Sequence, residues 1–301
     1  MSLSSYTTPI QSADVKKIRV ILEEGGFEFK SKPYAYFSAK KGKLNVTVYE
    51  KGPKVLIQGK ETEDFVRFTL EPMILGEAKL GYEEVNEPEM FEPHFGVDES
   101  GKGDFFGPLV IAGAYTDAKS TRALLDAGVM DSKRITSSAK IAKLAKIIRD
   151  TPGVMHDVVS IGPEKYNEMY SKFKNLNRLL AWGHAKVINN LAKQVPSCPR
   201  ALSDQFARKE VLERELLRHG VKVKLQQRTK GESDVAVAAA SILARERFVN
   251  WIEQSSEKSG VEIRLGAGPH VLDAARELVA EHGESILAKV AKMHFKTAKE
   301  V

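Results

Sequence analysis

The 301-residue sequence predicts an α/β protein in two parts, a mixed sheet flanked by helices preceded by a small α+β unit. Three observations predict it. Short runs rich in Tyr, Phe, Val and Ile, broken by glycine and proline turns, fill the stretch up to about residue 80. An acidic, proline-bearing stretch without periodicity follows, from Gly81 to Pro93. Beyond it, early strands joined by short turns give way to strands joined by helices, the pattern of a mixed sheet covered by helices.

In order, Ser12-Ala13-Asp14 can cap a helix through Glu24, which Gly25-Gly26 ends. Strands are expected at Pro33–Ser38, Leu44–Tyr49 and Lys54–Gln58, separated by Lys40-Lys41-Gly42-Lys43 and Lys51-Gly52-Pro53, with a helix from Glu61 to Leu70. Glu83, Glu84, Glu87, Glu89 and Glu92 with Pro88 and Pro93 make residues 81–93 a linker between residues 1–80 and 94–301. Then come strands at Phe95–Glu99, Leu109–Thr116, Arg200–Asp204 and Val221–Gln226. Helices are expected at Thr121–Ala127, Ser137–Arg149, Pro163–Phe173, Asn175–Lys193, Ala207–Arg218, Ser233–Gln254, Val271–Glu281 and Ser285–Ala291.

Composition narrows the function classes. Hydrophobic residues make up 42% and charged residues 29%, which excludes whole-chain disorder. No run of apolar residues is long enough to cross a bilayer, and Met1–Ile10 lacks an apolar signal core, so a cytoplasmic protein is expected. One cysteine, Cys198, forms no internal disulfide and no cysteine-rich zinc site. The net charge of +6 is modest, but Lys30 to Lys60 holds eight lysines against one acid, Glu50. That local excess fits either a phosphate-binding face or a solvated surface.

The chemistry concentrates in Phe95-Gly96-Val97-Asp98-Glu99-Ser100-Gly101-Lys102-Gly103-Asp104. An apolar strand delivers two adjacent carboxylates to a glycine turn. Side chains alternate along a strand, so Asp98 and Glu99 can converge only if the strand ends there. Glycines let a polymer backbone approach the main chain, and Lys102 adds a positive charge. Asp204 ends a later strand and could equally cap the next helix. Glu232 precedes the small-residue helix Ala236-Val237-Ala238-Ala239-Ala240-Ser241 and could equally oppose that helix's dipole. No P-loop is present.

The run Gly96 to Asp104 resembles the first motif of type 2 ribonucleases H, and the lysine between its glycines resembles the ribonuclease HIII branch. Similar to that family, in family order, are Val129-Met130-Asp131-Ser132-Lys133, Asn175-Leu176-Asn177-Arg178-Leu179-Leu180-Ala181, Lys230-Gly231-Glu232 with Ala238-Ala239-Ala240-Ser241-Ile242-Leu243-Ala244-Arg245, and His294-Phe295-Lys296. The basic unit before the linker resembles the TATA-binding-protein-like domain of that branch. The resemblance implies a ribonuclease H-like catalytic domain, with Asp98, Glu99, Asp204 and Glu232 as catalytic acids and metal ligands. Asp234 is the alternative fourth acid, because the spacing from Glu232 to Ser241 is one residue shorter than the family pattern. It also implies that Ser100, Gly101, Lys102 and Gly103 touch substrate near RNA 2′-hydroxyls.

The implied reaction is cleavage of the RNA strand of an RNA–DNA hybrid by a monomer. Two Mg²⁺ or Mn²⁺ ions assist, and 3′-hydroxyl and 5′-phosphate ends result. His184, mid-helix, reads as packing, since this chemistry needs no histidine base. The rival expectations are a non-catalytic nucleic-acid-binding protein and a nuclease of the same fold acting on branched DNA.

Overall fold

The computed structural model describes residues 3–77, 83–129, 132, 135, 137–229 and 231–301. Met130, Asp131, Lys133 and Lys230 of the motifs, and Gly81 at the start of the expected linker, lie outside them. The chain divides into two compact units, Met1–Glu89 and Met90–Val301.

The first unit contains β1 (Ser5–Pro9), α1 (Asp14–Glu24), β2 (Glu28–Lys30), β3 (Ala35–Lys41), β4 (Leu44–Tyr49), β5 (Lys54–Gln58) and α2 (Thr62–Phe65), which widens into a π-helical segment, Val66–Leu75. Its sheet has the order β1-β5-β4-β3-β2 and is antiparallel throughout. Alternation sends Phe37, Val46, Val48, Val55 and Ile57 to one face, where Ile18 and Leu22 of α1 and Val66 and Leu70 cover them. The expected cap takes another form, since the Asp14 carboxylate accepts from the Gln11 N–H at 3.0 Å. The helix expected to stop at Leu70 runs on to Leu75 through Pro72. α3 (Glu83–Asn86) completes this unit.

The second unit contains β6 (His94–Ser100), β7 (Leu109–Thr116), α4 (Ala118–Asp126), α5 (Ser138–Asp150), β8 (Met155–Ile161), α6 (Pro163–Phe173), α7 (Leu176–Gln194), β9 (Arg200–Asp204), α8 (Lys209–Arg218), β10 (Lys224–Arg228), α9 (Val235–Ser259), α10 (Pro269–His282) and α11 (Ser285–Val290). The sheet order is β10-β9-β6-β7-β8. β6, β7 and β8 form an antiparallel meander, while β9 and β10 run parallel to β6. The sheet is therefore mixed, with helices on both faces. One face packs on Ala238, Ala239, Ile242 and Leu243 of α9, the other on Leu179, Leu180, Val187 and Ile188 of α7.

β6 and α9 approach too closely for a side chain between them. A Cβ on Gly96 would fall 2.2 Å from the Ala236 carbonyl carbon and the Val237 nitrogen. Met90 and Phe91, expected in the linker, are buried in the second core. β1, β2 and β8 are strands that the sequence pattern does not predict.

Candidate active site

The central strand β6 sets the site. Asp98 shares the α9 face of β6 with Gly96, and the Ser241 hydroxyl on α9 bonds its carboxylate. The Ser241 hydroxyl also lies 2.7 Å from the Ser132 hydroxyl, and either of the two can donate. Glu99 turns to the α7 face. Its Oε2 lies 3.0 Å from His184 Nε2, and its Oε1 accepts from Lys102 Nζ at 2.7 Å. β6 does not end at the acids. It continues to Ser100, paired with Val110 of β7, so the two carboxylates sit side by side on opposite faces rather than turning together.

Their electrostatics diverge. Burial and the neighbouring Glu99 charge raise the Asp98 carboxyl to about 6. Burial also pushes Glu99 up, but His184 and Lys102 outweigh it and hold that carboxyl well below the usual range. Each carboxylate is an all-oxygen donor of the kind a hard divalent cation takes, presented from opposite faces of the strand.

β9 brings the next acid. Val97 pairs with Ser203 in parallel register, so the next residues along, Asp98 and Asp204, stand at the same level of neighbouring strands. The carboxyl ends of such strands are where ligands bind in parallel sheets. Asp204 does not cap α8, whose preceding residue is Arg208. Its Oδ1 instead accepts from the Gly231 N–H at 3.2 Å, tying β9 to the 3-10 turn Gly231–Ser233. Glu232 is in that turn; its side chain lies outside the described residues. Asp234 is committed elsewhere. It caps α9 by accepting from Ala236 N–H and Val237 N–H at 2.9 and 3.2 Å, and both its oxygens lie 3.0 Å from His94 Nε2. Among the described residues, no three acids, histidines or cysteines stand close enough to hold one ion.

The expected substrate loop divides in two. Gly101 has φ +85°, and a Cβ there would meet the Pro108 carbonyl oxygen at 2.2 Å, so this glycine makes the turn itself. Gly103 faces open space, where a ligand backbone can approach. Ser100 is half-buried, and the Lys102 side chain is 44% exposed.

Sequence reasoning underrated His184. It is buried and packed on Phe206, as expected, and it also bonds Glu99. The one local signal was Gly183, whose Cβ would lie 2.6 Å from Ile111 Cδ1, marking α7 as pressed against the sheet. The hydroxyl pair behind Asp98 and the His94–Asp234 pair had no local signal.

The family model described as Ribonuclease HII matches residues 95–298, and one described as a domain of unknown function (DUF3378) matches residues 11–73. The chain belongs to the type 2 ribonuclease H family. Within it, the similar full-length relatives are ribonucleases HIII. That of Chlamydia pneumoniae is 42% identical over 298 residues, 98% of this chain and 97% of the relative. That of Protochlamydia amoebophila is 41% identical over 296 residues, 98% and 96% respectively. Among solved structures, Bst-RNase HIII in complex with Mn²⁺ matches with a TM-score of 0.67 at 28% identity, covering 99% of this chain and 97% of that one. The RNase HII of Archaeoglobus fulgidus, solved as a PCNA complex, matches with a TM-score of 0.54 at 31% identity, covering 66% of this chain and 93% of that one. Among the described residues, no helix is long and apolar enough to cross a membrane.

Proposed function

We propose that this ribonuclease H hydrolyses the RNA strand of RNA–DNA hybrids as an endonuclease, with Mg²⁺ or Mn²⁺, two ions per site, leaving 3′-hydroxyl and 5′-phosphate ends. The observation that carries the reading is the parallel register of β6 and β9, Val97 beside Ser203, which brings Asp98, the neighbour of Glu99, level with Asp204. Asp98, Glu99, Asp204 and Glu232 would hold the ions. When bound, two divalent cations activate a water and stabilise the leaving oxygen of an in-line displacement.

The chain's own side chains set up that chemistry. Ser241, backed by Ser132, aims the Asp98 carboxylate, and His184 aims Glu99. Lys102 offers an ammonium to phosphate at the rim. Gly103 leaves room for the sugar–phosphate backbone, where a main-chain group can meet a 2′-hydroxyl.

The test is cleavage of an end-labelled hybrid, duplex RNA, duplex DNA and a DNA junction, with and without Mg²⁺ and Mn²⁺. Metal-dependent cuts in the RNA strand of the hybrid are expected. Asp98→Asn, nearly isosteric, is expected to abolish cleavage while hybrid binding survives. Binding without cleavage by the wild type, or preference for the junction, rejects the reading.

A further inference from the structure

Lys292 takes no part in the chemistry above, yet its side chain is fully buried. Lysine is almost never so buried without partners. Here the partners are main-chain carbonyls. Nζ donates to Asp104 O at 2.8 Å and to Phe106 O at 3.1 Å, and the Lys292 N–H donates to Phe105 O at 2.8 Å. One residue thus holds three successive carbonyls of the glycine loop.

The surroundings brace this arrangement. The Gly107 N–H donates to Val290 O at 2.9 Å, and Phe106 bridges to Ala291. On the other side, Phe105 N–H donates to Gly266 O at 2.8 Å, and the Asp104 carboxylate accepts from Gly266 N–H at 2.6 Å. Asn167 on α6 fixes the lysine's own segment. Its Nδ2 donates to Ala291 O, and its Oδ1 accepts from Met293 N–H, both at 2.9 Å.

Packing alone does not call for an amine here, since a methionine would fill the same space. Burial pulls the ammonium down to about 7, opposed by the charge of Asp104, so its presence is costly. What the amine adds is a pair of directed donors, which –NH₃⁺ and –NH₂ both supply. We propose that Lys292 is a positioning residue for catalysis, fixing the main chain of Gly101–Pro108 so that Lys102 and Gly103 meet the substrate in one geometry. This rests on the hybrid-cleavage reading of that loop.

The experiment compares wild type, Lys292→Met and Lys292→Gln in steady-state hybrid cleavage at several salt concentrations, well below each melting temperature. Lys292→Met is expected to lower kcat/KM by about 10- to 100-fold, the cost of a misplacement of about 1 Å. Lys292→Gln, which keeps an N–H donor, is expected to fall between. The salt dependence of KM should stay unchanged, because a buried amine releases no counterion, whereas Lys102→Ala should make it shallower. A folded Lys292→Met with kinetics within about twofold of wild type overturns the proposal, as does an altered salt slope. If Lys292→Met does not fold, Lys292→Gln is judged by the same criteria. If neither folds, Lys292 is a folding determinant and the positioning role is overturned. A wild type inactive on hybrid rejects the underlying reading and this role with it; an active wild type with an unaffected variant rejects the role alone.

Discussion

At the scale of single residues, Asp234 and Glu232 separate by what each already holds. Asp234 caps α9 and faces His94, so a carboxamide there keeps the cap and loses the charge. Asp234→Asn is expected to cost about 3 kcal/mol of stability, as when one partner of a buried pair is removed, with kcat little changed. Glu232→Gln is expected to lower kcat by at least about 10²-fold with little change in melting temperature. Thermal melts and single-turnover rates on both variants decide, and the opposite ranking assigns the fourth acid to Asp234. His184 acts through Glu99. His184→Ala is expected to raise the Mg²⁺ concentration for half-maximal cleavage by about 10- to 100-fold, the usual cost of losing a group that orients a metal ligand. An unchanged Mg²⁺ titration returns His184 to pure packing.

Lys292 carries a pH signature. Its amine binds a proton up to about 10.5 when unfolded and only to about 7 in the fold. Below pH 7 both states are protonated and the full penalty is present. Between the two values the unfolded chain holds more protons, so this group makes stability rise with pH. Chemical denaturation at pH 7 and pH 10 should show that rise in wild type and a smaller one in Lys292→Met. Equal pH slopes would mean the amine is not desolvated. The adjacent acids were legible in the sequence because strand, acids and glycines are contiguous. Glu99's partner was not, because 85 residues separate it from His184 and only the packing of α7 joins them.

At the scale of elements, the contact between β6 and α9 tolerates no added atom. The groups that a Cβ on Gly96 would strike are backbone, so no side chain can rotate away. Gly96→Ala is expected to cost about 3 kcal/mol, toward the upper end of overpacking, and to lower activity by moving Ser241 off Asp98. A calorimetric melt checks the first effect and hybrid cleavage the second; a neutral substitution would mean that α9 shifts freely. The interior strands β3, β4, β5, β6, β7 and β9 were readable because each buries apolar side chains. β1, β2 and β8 lie at sheet edges, where Ser-Tyr-Thr-Thr-Pro, Glu-Phe-Lys and a half-exposed Met-His-Asp-Val-Val-Ser-Ile need less apolar content. α2 and its continuation passed the expected stop because π-type winding accommodates Pro72.

At the scale of the molecule, the N-terminal unit holds the lysine-rich strands and none of the four acids. Tyr34 is 85% and Tyr36 48% exposed, whereas Phe37 is core, so the two tyrosines and not Phe37 can meet a ligand. A chain beginning at Met90 keeps Met90 and Phe91 in their core and is expected to fold. Its KM for hybrid should rise with kcat retained, and its salt dependence should become shallower by roughly 0.9 for each phosphate that the truncated enzyme leaves unneutralised. Steady-state cleavage at several salt concentrations is the check; an unchanged KM and slope would make the lysine face mere surface. The clamp on the glycine loop has a temporal consequence. Lys292 follows Asp104 by 188 residues. At roughly 5–20 residues per second, a ribosome adds the lysine about 10–40 s after the loop. A nascent chain therefore carries the loop without its splint throughout that interval, and the surface matures only after elongation has passed it.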